Sequence, residues 1–139
     1  MNIKKSHYLF IGLLWISLLS CGQKQKEGST DQDSASKISL ISPSELNKAN
    51  NDILLIDVRT PGEYASGHLE NSINIDYKAD NFKDLIGELD PNQEVYVYCK
   101  VGGRSARSAK VMKEMGFKKV YDLDGGINSW EKDGFKIVK

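Results

Sequence analysis

Short apolar runs of strand length alternate with helix-like segments along most of this chain of 139 residues, and this alternation limits the folds that it can adopt. The run ILLID at 53–57 is apolar up to its final acid, which is typical of a strand buried on both faces. The run EVYVYC at 94–99 is rich in β-branched and aromatic residues and is the strongest strand candidate. Shorter runs predict three further strands, at 38–41, 72–75 and 119–123.

Helix-start patterns lie between these strands. The segments SPSE at 42–45 and TPGE at 60–63 each combine an N-cap hydroxyl, a proline at the first helical position and the glutamate of a capping box. Apolar residues at helical spacing predict further helices at 82–89, 106–115 and 126–134. The alternation predicts an α/β fold with a mainly parallel central sheet and helices on both faces. In such sheets ligands bind beyond the carboxyl ends of the strands.

The first residues have the layout of an export signal. Lys4 and Lys5 precede an apolar run at 8–19, and the small Ser20 then precedes Cys21. The run is shorter than the roughly 20 apolar residues that a membrane span needs. We therefore predict a secretory signal rather than a transmembrane helix.

The end of this run, LLSC at 18–21, resembles the lipobox of bacterial lipoproteins. The resemblance implies that Cys21 is lipidated and becomes the first mature residue, and several acyl chains on it would anchor the protein firmly. An ordinary signal peptide, or an uncleaved anchor with an incidental cysteine, is the alternative. Because Gly22 is not an inner-membrane retention signal, we expect an exported lipoprotein of the cell envelope, in the outer membrane and facing the periplasm.

Three parts of the chain follow from these patterns: a lipoprotein signal at 1–20, the lipidated cysteine with a flexible tether at 21–37, and one domain at 38–139. The tether is polar and charged, so it cannot bury enough apolar surface to order itself. The signal contains two lysines and no acid, so its removal leaves 17 basic against 19 acidic residues. Binding to nucleic acid or lipid through a basic patch is therefore not indicated.

The chain has two cysteines, Cys21 and Cys99. If Cys21 carries lipid, Cys99 has no partner within the chain, and an unpaired thiol in an exported protein indicates reactivity. The alternative is a buried cysteine that packs as a small hydrophobic residue. Cys99 lies at the carboxyl end of the strongest strand candidate, where ligands bind in this class of fold, and this position favours reactivity.

The segment YCKVGGRS at 98–105 has the features that a reactive thiol needs. A thiolate is the nucleophile, and the pKa of a thiol falls near a helix N-terminus or a cation. Gly102 and Gly103 allow the backbone to curl and to aim amides at one point. Arg104 adds a fixed positive charge, and Lys100 adds another. The segment predicts an anion cradle around one sulfur.

Two chemistries use such a cradle: phosphoryl transfer through a cysteinyl phosphate, and sulfur transfer through a cysteine persulfide. Cysteine phosphatases have five residues between the cysteine and the arginine, whereas four separate Cys99 from Arg104. Phosphatases also usually carry a histidine where this chain has Tyr98. The shorter loop favours sulfur transfer, and a phosphatase or arsenate-type reductase is the minor alternative.

Over nearly all of 38–139 the chain resembles a single rhodanese domain. The similarity lies in motifs that occur in the family's order: DVR at 57–59, EYxxGHL at 63–69, NSINI at 71–75, CxxGxRS at 99–105 and GGIxxW at 125–130. Lys100 stands where arginine is frequent, and Ser72 where alanine is frequent. Lys100 keeps the charge but loses the forked donors, which leaves the substrate preference open.

The resemblance implies a sulfurtransferase. Cys99 would take a sulfane sulfur from a small anionic donor such as thiosulfate and pass it, through a persulfide, to cyanide or a thiol. Arg104 would hold the loop, steer the donor and lower the thiol pKa, and the active-site loop would comprise Lys100, Val101, Gly102, Gly103 and Ser105. No cofactor is implied, and the chain has no His/Cys cluster with metal-ligand spacing. A slow or non-catalytic sulfane-sulfur carrier or sensor, or a partner-binding module, is the alternative.

Two roles are possible for each of four other residues. His68 is either a general base or a histidine hydrogen-bonded to backbone, and we favour the latter. Asp57 and Arg59 either pair with each other in support of the site, which we favour, or contact substrate. Trp130 is predicted to lie in the core rather than to form a binding platform.

Overall fold

The computed structural model describes residues 36–49 and 52–139. The predicted signal at 1–20, the predicted lipidation site Cys21 and all but the last two residues of the tether lie outside these described residues. No helix of the described part is long and apolar enough to cross a membrane.

One parallel sheet forms the centre of the described domain. Its strands lie in the order β1-β5-β4-β2-β3, and every neighbouring pair is parallel. The α/β fold with a parallel sheet is therefore confirmed, although the first strand begins one residue before the predicted boundary at 38. The strands are β1 (Lys37–Ile41), β2 (Leu54–Asp57), β3 (Ile73–Asn74), β4 (Glu94–Tyr98) and β5 (Lys119–Leu123).

Helices cover both faces of the sheet, as the alternating pattern predicts. In the described residues they are α1 (Pro43–Lys48), α2 (Pro61–Ser66), α3 (Phe82–Gly87), α4 (Gly103–Glu114) and α5 (Gly126–Lys132). The core on one face joins α3 and α4 to the strands through Ile86 and Met112. The core on the other face joins α1 and α5 through Leu46 and Trp130, so Trp130 lies in the core as predicted.

Both predicted capping boxes are present. The Ser42 backbone N–H donates to the Glu45 carboxylate at 2.9 Å, and the Glu45 N–H donates to the Ser42 hydroxyl at 3.3 Å. At the second box the Thr60 N–H donates to Glu63 at 3.1 Å, while the Glu63 N–H donates to the Thr60 hydroxyl at 3.4 Å. These local bonds satisfy the free amides of the first turns, so α1 and α2 begin where the sequence predicts.

The buried face of α4 differs from a face built on its apolar residues. Ser105, Ser108, Ala109 and Met112 are buried, whereas Ala106 is exposed. The apolar residues that predict this helix recur every three positions, at Ala106, Ala109, Met112 and Met115. A helical turn contains 3.6 residues, so such a repeat drifts around the axis and cannot keep to one face. Two serines therefore lie under the helix, at its active-site end.

Candidate active site

Cys99 follows β4 directly and lies at the carboxyl edge of the sheet. Its side chain is buried, and its Sγ accepts hydrogen bonds from the Gly102 backbone N–H at 3.1 Å and from the Ser105 hydroxyl at 3.5 Å. Both donors belong to the turn from β4 into α4. The structure thus brings Cys99, Gly102 and Ser105 of the predicted loop together around one sulfur.

The backbone of this turn requires a glycine at position 102. Gly102 has φ 98°, in the left-handed region that side chains other than glycine rarely adopt. The reversal directs its own N–H back to the Cys99 sulfur, as in the concave amide sites that bind anions. Gly103 then begins α4, whose first amides are free to point at the same place.

Two opposing effects set the pKa of the Cys99 thiol. Burial acts to raise it, and this is the largest single effect. Hydrogen bonds from the Ser105 hydroxyl and from the backbone amides of Ser105, Val101 and Arg104 act to lower it, and together they outweigh burial. The pKa of the thiol is therefore lowered, which favours the nucleophilic thiolate.

The Arg104 side chain binds a carboxylate with both of its terminal nitrogens. Its Nη1 and Nη2 donate to Oε2 and Oε1 of Glu63, each at 2.7 Å. The hydrogen bonds from Arg104 are the main reason that the pKa of Glu63 is lowered to about 2. The arginine thus ties the first turn of α4 to the first turn of α2.

Glu63 is a site residue that the sequence reasoning did not single out. Its place in a capping box already accounts for a glutamate at this position. In addition, 41 positions separate it from Arg104. The same carboxylate accepts from Thr60 and from Arg104, so its cap also orients it toward the loop. No spacing rule in the sequence connects two such distant side chains.

Asp57 and Arg59 pair with each other, as the sequence predicts. Arg59 Nη2 lies 2.6 Å from Asp57 Oδ2 and also donates to the Gly67 carbonyl at 2.6 Å. Desolvation acts to lower the pKa of the Arg59 guanidinium, but hydrogen bonds to Asp57 raise it overall. The pair joins the end of β2 to the segment after α2, below the ring of Tyr98, whose centroid lies 5.7 Å from the guanidinium carbon.

The start of α5 binds the outer side of the loop through backbone hydrogen bonds. The Ile127 N–H donates to the Cys99 carbonyl at 2.9 Å, and the Asn128 N–H donates to the Lys100 carbonyl at 3.1 Å. Gly126, with φ 60°, lies so close that a Cβ there would collide with the Cys99 carbonyl oxygen and approach the Lys100 carbonyl oxygen to 2.8 Å. This explains why a Gly-Gly pair far along the chain belongs to the site.

The remaining predicted residues lie around this centre. Lys100 and Val101 are exposed on the loop, with 63% of the Val101 side chain accessible. His68 stacks on Tyr64 with ring centroids 3.7 Å apart, and its Nδ1 lies 3.0 Å from the Tyr64 carbonyl. This geometry favours the structural reading of His68. The described residues contain no group of three His, Cys, Asp or Glu side chains that could hold a metal ion.

Residues 42–133 match the family described as the rhodanese-like domain. The match covers well over half of the chain, and the chain belongs to this family.

Curated relatives and solved structures agree with this assignment. The chain is 31% identical over 87 residues to a protein named "Sulfurtransferase" from Allochromatium vinosum, covering 63% of this chain and 79% of that one. It is 30% identical over 80 residues to "Thiosulfate sulfurtransferase GlpE" from Shewanella oneidensis, covering 58% and 77%. Other relatives are longer, and the chain spans only 19% of "Adenylyltransferase and sulfurtransferase UBA4" from Debaryomyces hansenii.

A crystal structure of a rhodanese-related protein from Thermoplasma volcanium superposes with a TM-score of 0.65 at 29% identity, covering 72% of this chain and 97% of that one. A rhodanese-like domain protein from Staphylococcus aureus superposes with a TM-score of 0.62 at 26% identity, covering 73% and 99%.

We predict that Glu63→Gln destabilises the fold in a pH-dependent way. The lowered pKa of Glu63 means that its contribution is fully present above its unfolded value of about 4.5 and is lost as the pH falls toward about 2. After discounting for solvent screening of this partly exposed pair, we expect a loss of about 1–2 kcal/mol at pH 7. Urea unfolding of both proteins across this range measures it.

Glu94→Gln is the matched control. It breaks the exposed pair between Glu94 and Lys119, which joins the first residues of β4 and β5, at the edge of the sheet far from Cys99. Exposed pairs contribute little, so this variant should stay close to the wild type at every pH. A Glu63→Gln variant that behaves like Glu94→Gln contradicts the role assigned to Glu63.

Proposed function

We propose that this protein is a sulfurtransferase that moves a sulfane sulfur through a persulfide on Cys99. The observation that carries the proposal is the sulfur itself, which accepts bonds from the Gly102 amide and the Ser105 hydroxyl and whose thiol pKa is lowered despite burial. The relatives named as sulfurtransferases support the same chemistry. The loop of four residues between Cys99 and Arg104 argues against a phosphatase or arsenate-type reductase.

The transfer proceeds in two displacement steps. With thiosulfate as donor, the Cys99 thiolate attacks the outer sulfur, the S–S bond of the donor breaks, and sulfite leaves with the bonding electron pair. The terminal sulfur of the resulting persulfide carries the negative charge, and the loop amides stabilise it. Cyanide or a thiolate acceptor then attacks this sulfur, and Cys99 leaves as the thiolate. The covalent intermediate divides one transfer into two easier ones.

The hydrogen-bond donors of the loop are in place before the sulfur donor binds. Preorganised amides stabilise developing charge without a reorganisation cost at the moment of reaction. Arg104 acts mainly by holding the first turn of α4 against Glu63, since both of its terminal nitrogens are engaged there. Lys100, exposed at the mouth of the site, supplies the charge that attracts an anionic donor.

Loading with thiosulfate tests the proposal. The purified protein should gain one sulfur atom, about 32 Da by intact mass, when it forms a persulfide. The gain should disappear on addition of cyanide and should be absent from Cys99→Ser, which retains Cys21 and therefore controls for adducts there. No adduct with any sulfane donor would favour the partner-binding alternative, and a cyanide-labile adduct that turns over only slowly would favour a carrier or sensor.

We predict that Arg104→Ala slows sulfur transfer while leaving the fold intact. Without the bond to Glu63 the first turn of α4 loses its anchor, and misplaced donors should reduce the rate on the order of 10- to 100-fold. Steady-state thiocyanate formation measures the rate, and circular dichroism checks the fold. Arg107→Ala is the control because its exposed side chain bonds only the Gly103 carbonyl within its own helix. Unchanged kinetics in Arg104→Ala would remove Arg104 from the mechanism.

We also propose that the domain acts in the bacterial cell envelope, held through lipid on Cys21 and facing the periplasm from the outer membrane. The support is the lipobox-like LLSC segment and the polar tether that follows it. Cys21→Ser should move the protein from the membrane fraction to the soluble fraction of cells that process lipoproteins. Cys99→Ser is the matched control and should stay with the membrane. Continued membrane partitioning of Cys21→Ser contradicts the proposal.

A further inference from the structure

A buried acid lies behind the active-site loop and has no part in the mechanism described above. Asp122 is 4% exposed, and its Oδ1 has no hydrogen-bond partner in the described part of the chain. A buried carboxyl oxygen without a partner is unfavourable for folding. Such groups call for a physical explanation, and their position relative to the reactive sulfur provides one.

The strand register places Asp122 on the same sheet face as the sulfur. Asp122 on β5 pairs with Val97 on β4, and paired residues of parallel strands direct their side chains to the same face. Cys99 lies two positions after Val97 and therefore shares that face. Two positions along a strand correspond to about 7 Å, so the carboxyl and the sulfur are near but do not touch.

Ser105 of α4 is buried on the sheet face that carries both groups. Ser105 is completely buried under α4, with its Oγ 3.5 Å from the Cys99 sulfur and 3.1 Å from the Gly102 carbonyl. The same hydroxyl also affects Asp122: it acts to lower the pKa of that carboxyl, against the larger raising effect of burial. A hydroxyl has one proton to donate, so these acceptors compete for it.

The elements packed around Asp122 place few other titratable groups against its carboxyl. Leu40 of β1 is in register with it on one side and Val97 of β4 on the other. On α4, Arg104 turns to Glu63 and Arg107 to the Gly103 carbonyl. The other charged residues of these elements lie at the far ends of the strands or on the exposed side of the helix: Lys37, Glu94, Lys119, Lys110, Lys113 and Glu114. The titratable groups that face the carboxyl are thus Cys99 and, just past β5, Asp124.

We propose that Asp122 is a positioning residue for sulfur transfer, which acts through Ser105 by controlling whether the serine hydroxyl donates to the Cys99 sulfur. The ionised carboxylate draws the hydroxyl proton toward itself and leaves the sulfur with one donor fewer. The protonated carboxyl can instead donate to Ser105 Oγ, and the hydroxyl then donates to the sulfur. The inference rests on the proposed function only in making Cys99 the nucleophile.

The Asp122 carboxyl ionises near neutral pH. Burial raises the pKa of Asp122 to about 6, while Ser105 acts to lower it and the charge of Asp124 acts to raise it. Ionisation of Asp122 and formation of the Cys99 thiolate should therefore oppose each other near neutral pH, as two coupled titrations. At a given pH, a neutral Asp122 should leave a larger fraction of Cys99 as the thiolate than an ionised Asp122 does.

Alkylation of Cys99 by iodoacetamide tests the coupling, because only the thiolate reacts. We would measure the rate from about pH 4 to pH 9 on the full chain, at the proteolytic peptide that contains Cys99, so that Cys21 does not interfere. Asp122→Asn removes the charge and keeps a donor for Ser105. It should lower the midpoint of the alkylation profile by about one pH unit, and Ser105→Ala should raise it.

The double variant and a nearby acid separate the hydroxyl route from simple charge repulsion. In a Ser105→Ala background, Asp122→Asn should lose most of its effect, because its intermediary is missing. Asp124→Asn removes an exposed charge two residues away and should move the midpoint far less than Asp122→Asn does. A profile of Asp122→Asn that superposes on the wild type, or an equal shift with and without Ser105, overturns the proposal.

Two further measurements keep the result interpretable. Removal of a buried charge should leave Asp122→Asn folded and at least as stable as the wild type at pH 8, with the difference vanishing toward pH 4. If that variant does not fold, the ¹³C titration of the Asp122 carboxyl in the wild type and in Cys99→Ser gives the reciprocal effect. An identical midpoint in both proteins contradicts the coupling.

The same proteins distinguish this inference from the proposed function. A wild type that alkylates with the expected coupling but takes no sulfur from thiosulfate would disprove the transferase and leave the coupling standing. Sulfur loading with no dependence on Asp122 would do the reverse.

Discussion

The active-site end of this domain depends on one carboxylate that serves two helices. Glu63 completes the capping box of α2 through Thr60 and binds both terminal nitrogens of Arg104 at the start of α4. The first turn of α4 carries the Ser105 hydroxyl, one of the two donors that reach the sulfur. The bidentate pair therefore fixes the geometry in which a buried thiol keeps a lowered pKa. Bidentate pairs of this kind supply direction as well as energy.

Backbone contacts hold much of the rest of the loop. Gly102 reverses the chain inside the loop, and Gly126 allows α5 to approach it from outside. The two amides that α5 presents bind the carbonyls of Cys99 and Lys100, which leaves the loop N–H groups free to face the sulfur. Both glycines have a positive φ, but only at Gly126 would a Cβ also collide with the loop backbone.

The local features of the fold could be predicted from the sequence. The strand runs at 53–57 and 94–99 match β2 and β4 to within a residue, and both capping boxes form as predicted. These features depend on neighbours within a few positions, which a sequence displays directly. The buried face of α4 was harder to foresee, because Ser105 and Ser108 are polar and their burial depends on what the helix covers.

The pairs that complete the site join distant parts of the chain and could not be foreseen from spacing. Glu63 and Arg104 meet across 41 positions, and Asp122 comes near Ser105 only because β5 lies beside β4. In the sequence, Asp122 is one acid in a strand whose neighbours are apolar, and nothing distinguishes it from a solvated charge. Its missing hydrogen-bond partner is a property of the packed sheet.

The sequence is enough to predict the α/β alternation, the position of Cys99 after a buried strand, and a glycine-rich turn of four residues before Arg104. These follow from periodicity and backbone freedom, which act over a few residues. Three features depend on the packed fold: Arg104 pairs with Glu63 instead of leaving an open anion site, α5 binds the outer side of the loop, and Asp122 Oδ1 lies buried with no hydrogen-bond partner among the described residues. The physical reason is that charge pairing, close approach and burial are set by which strands and helices become neighbours, and in a parallel sheet those neighbours are far apart in the chain.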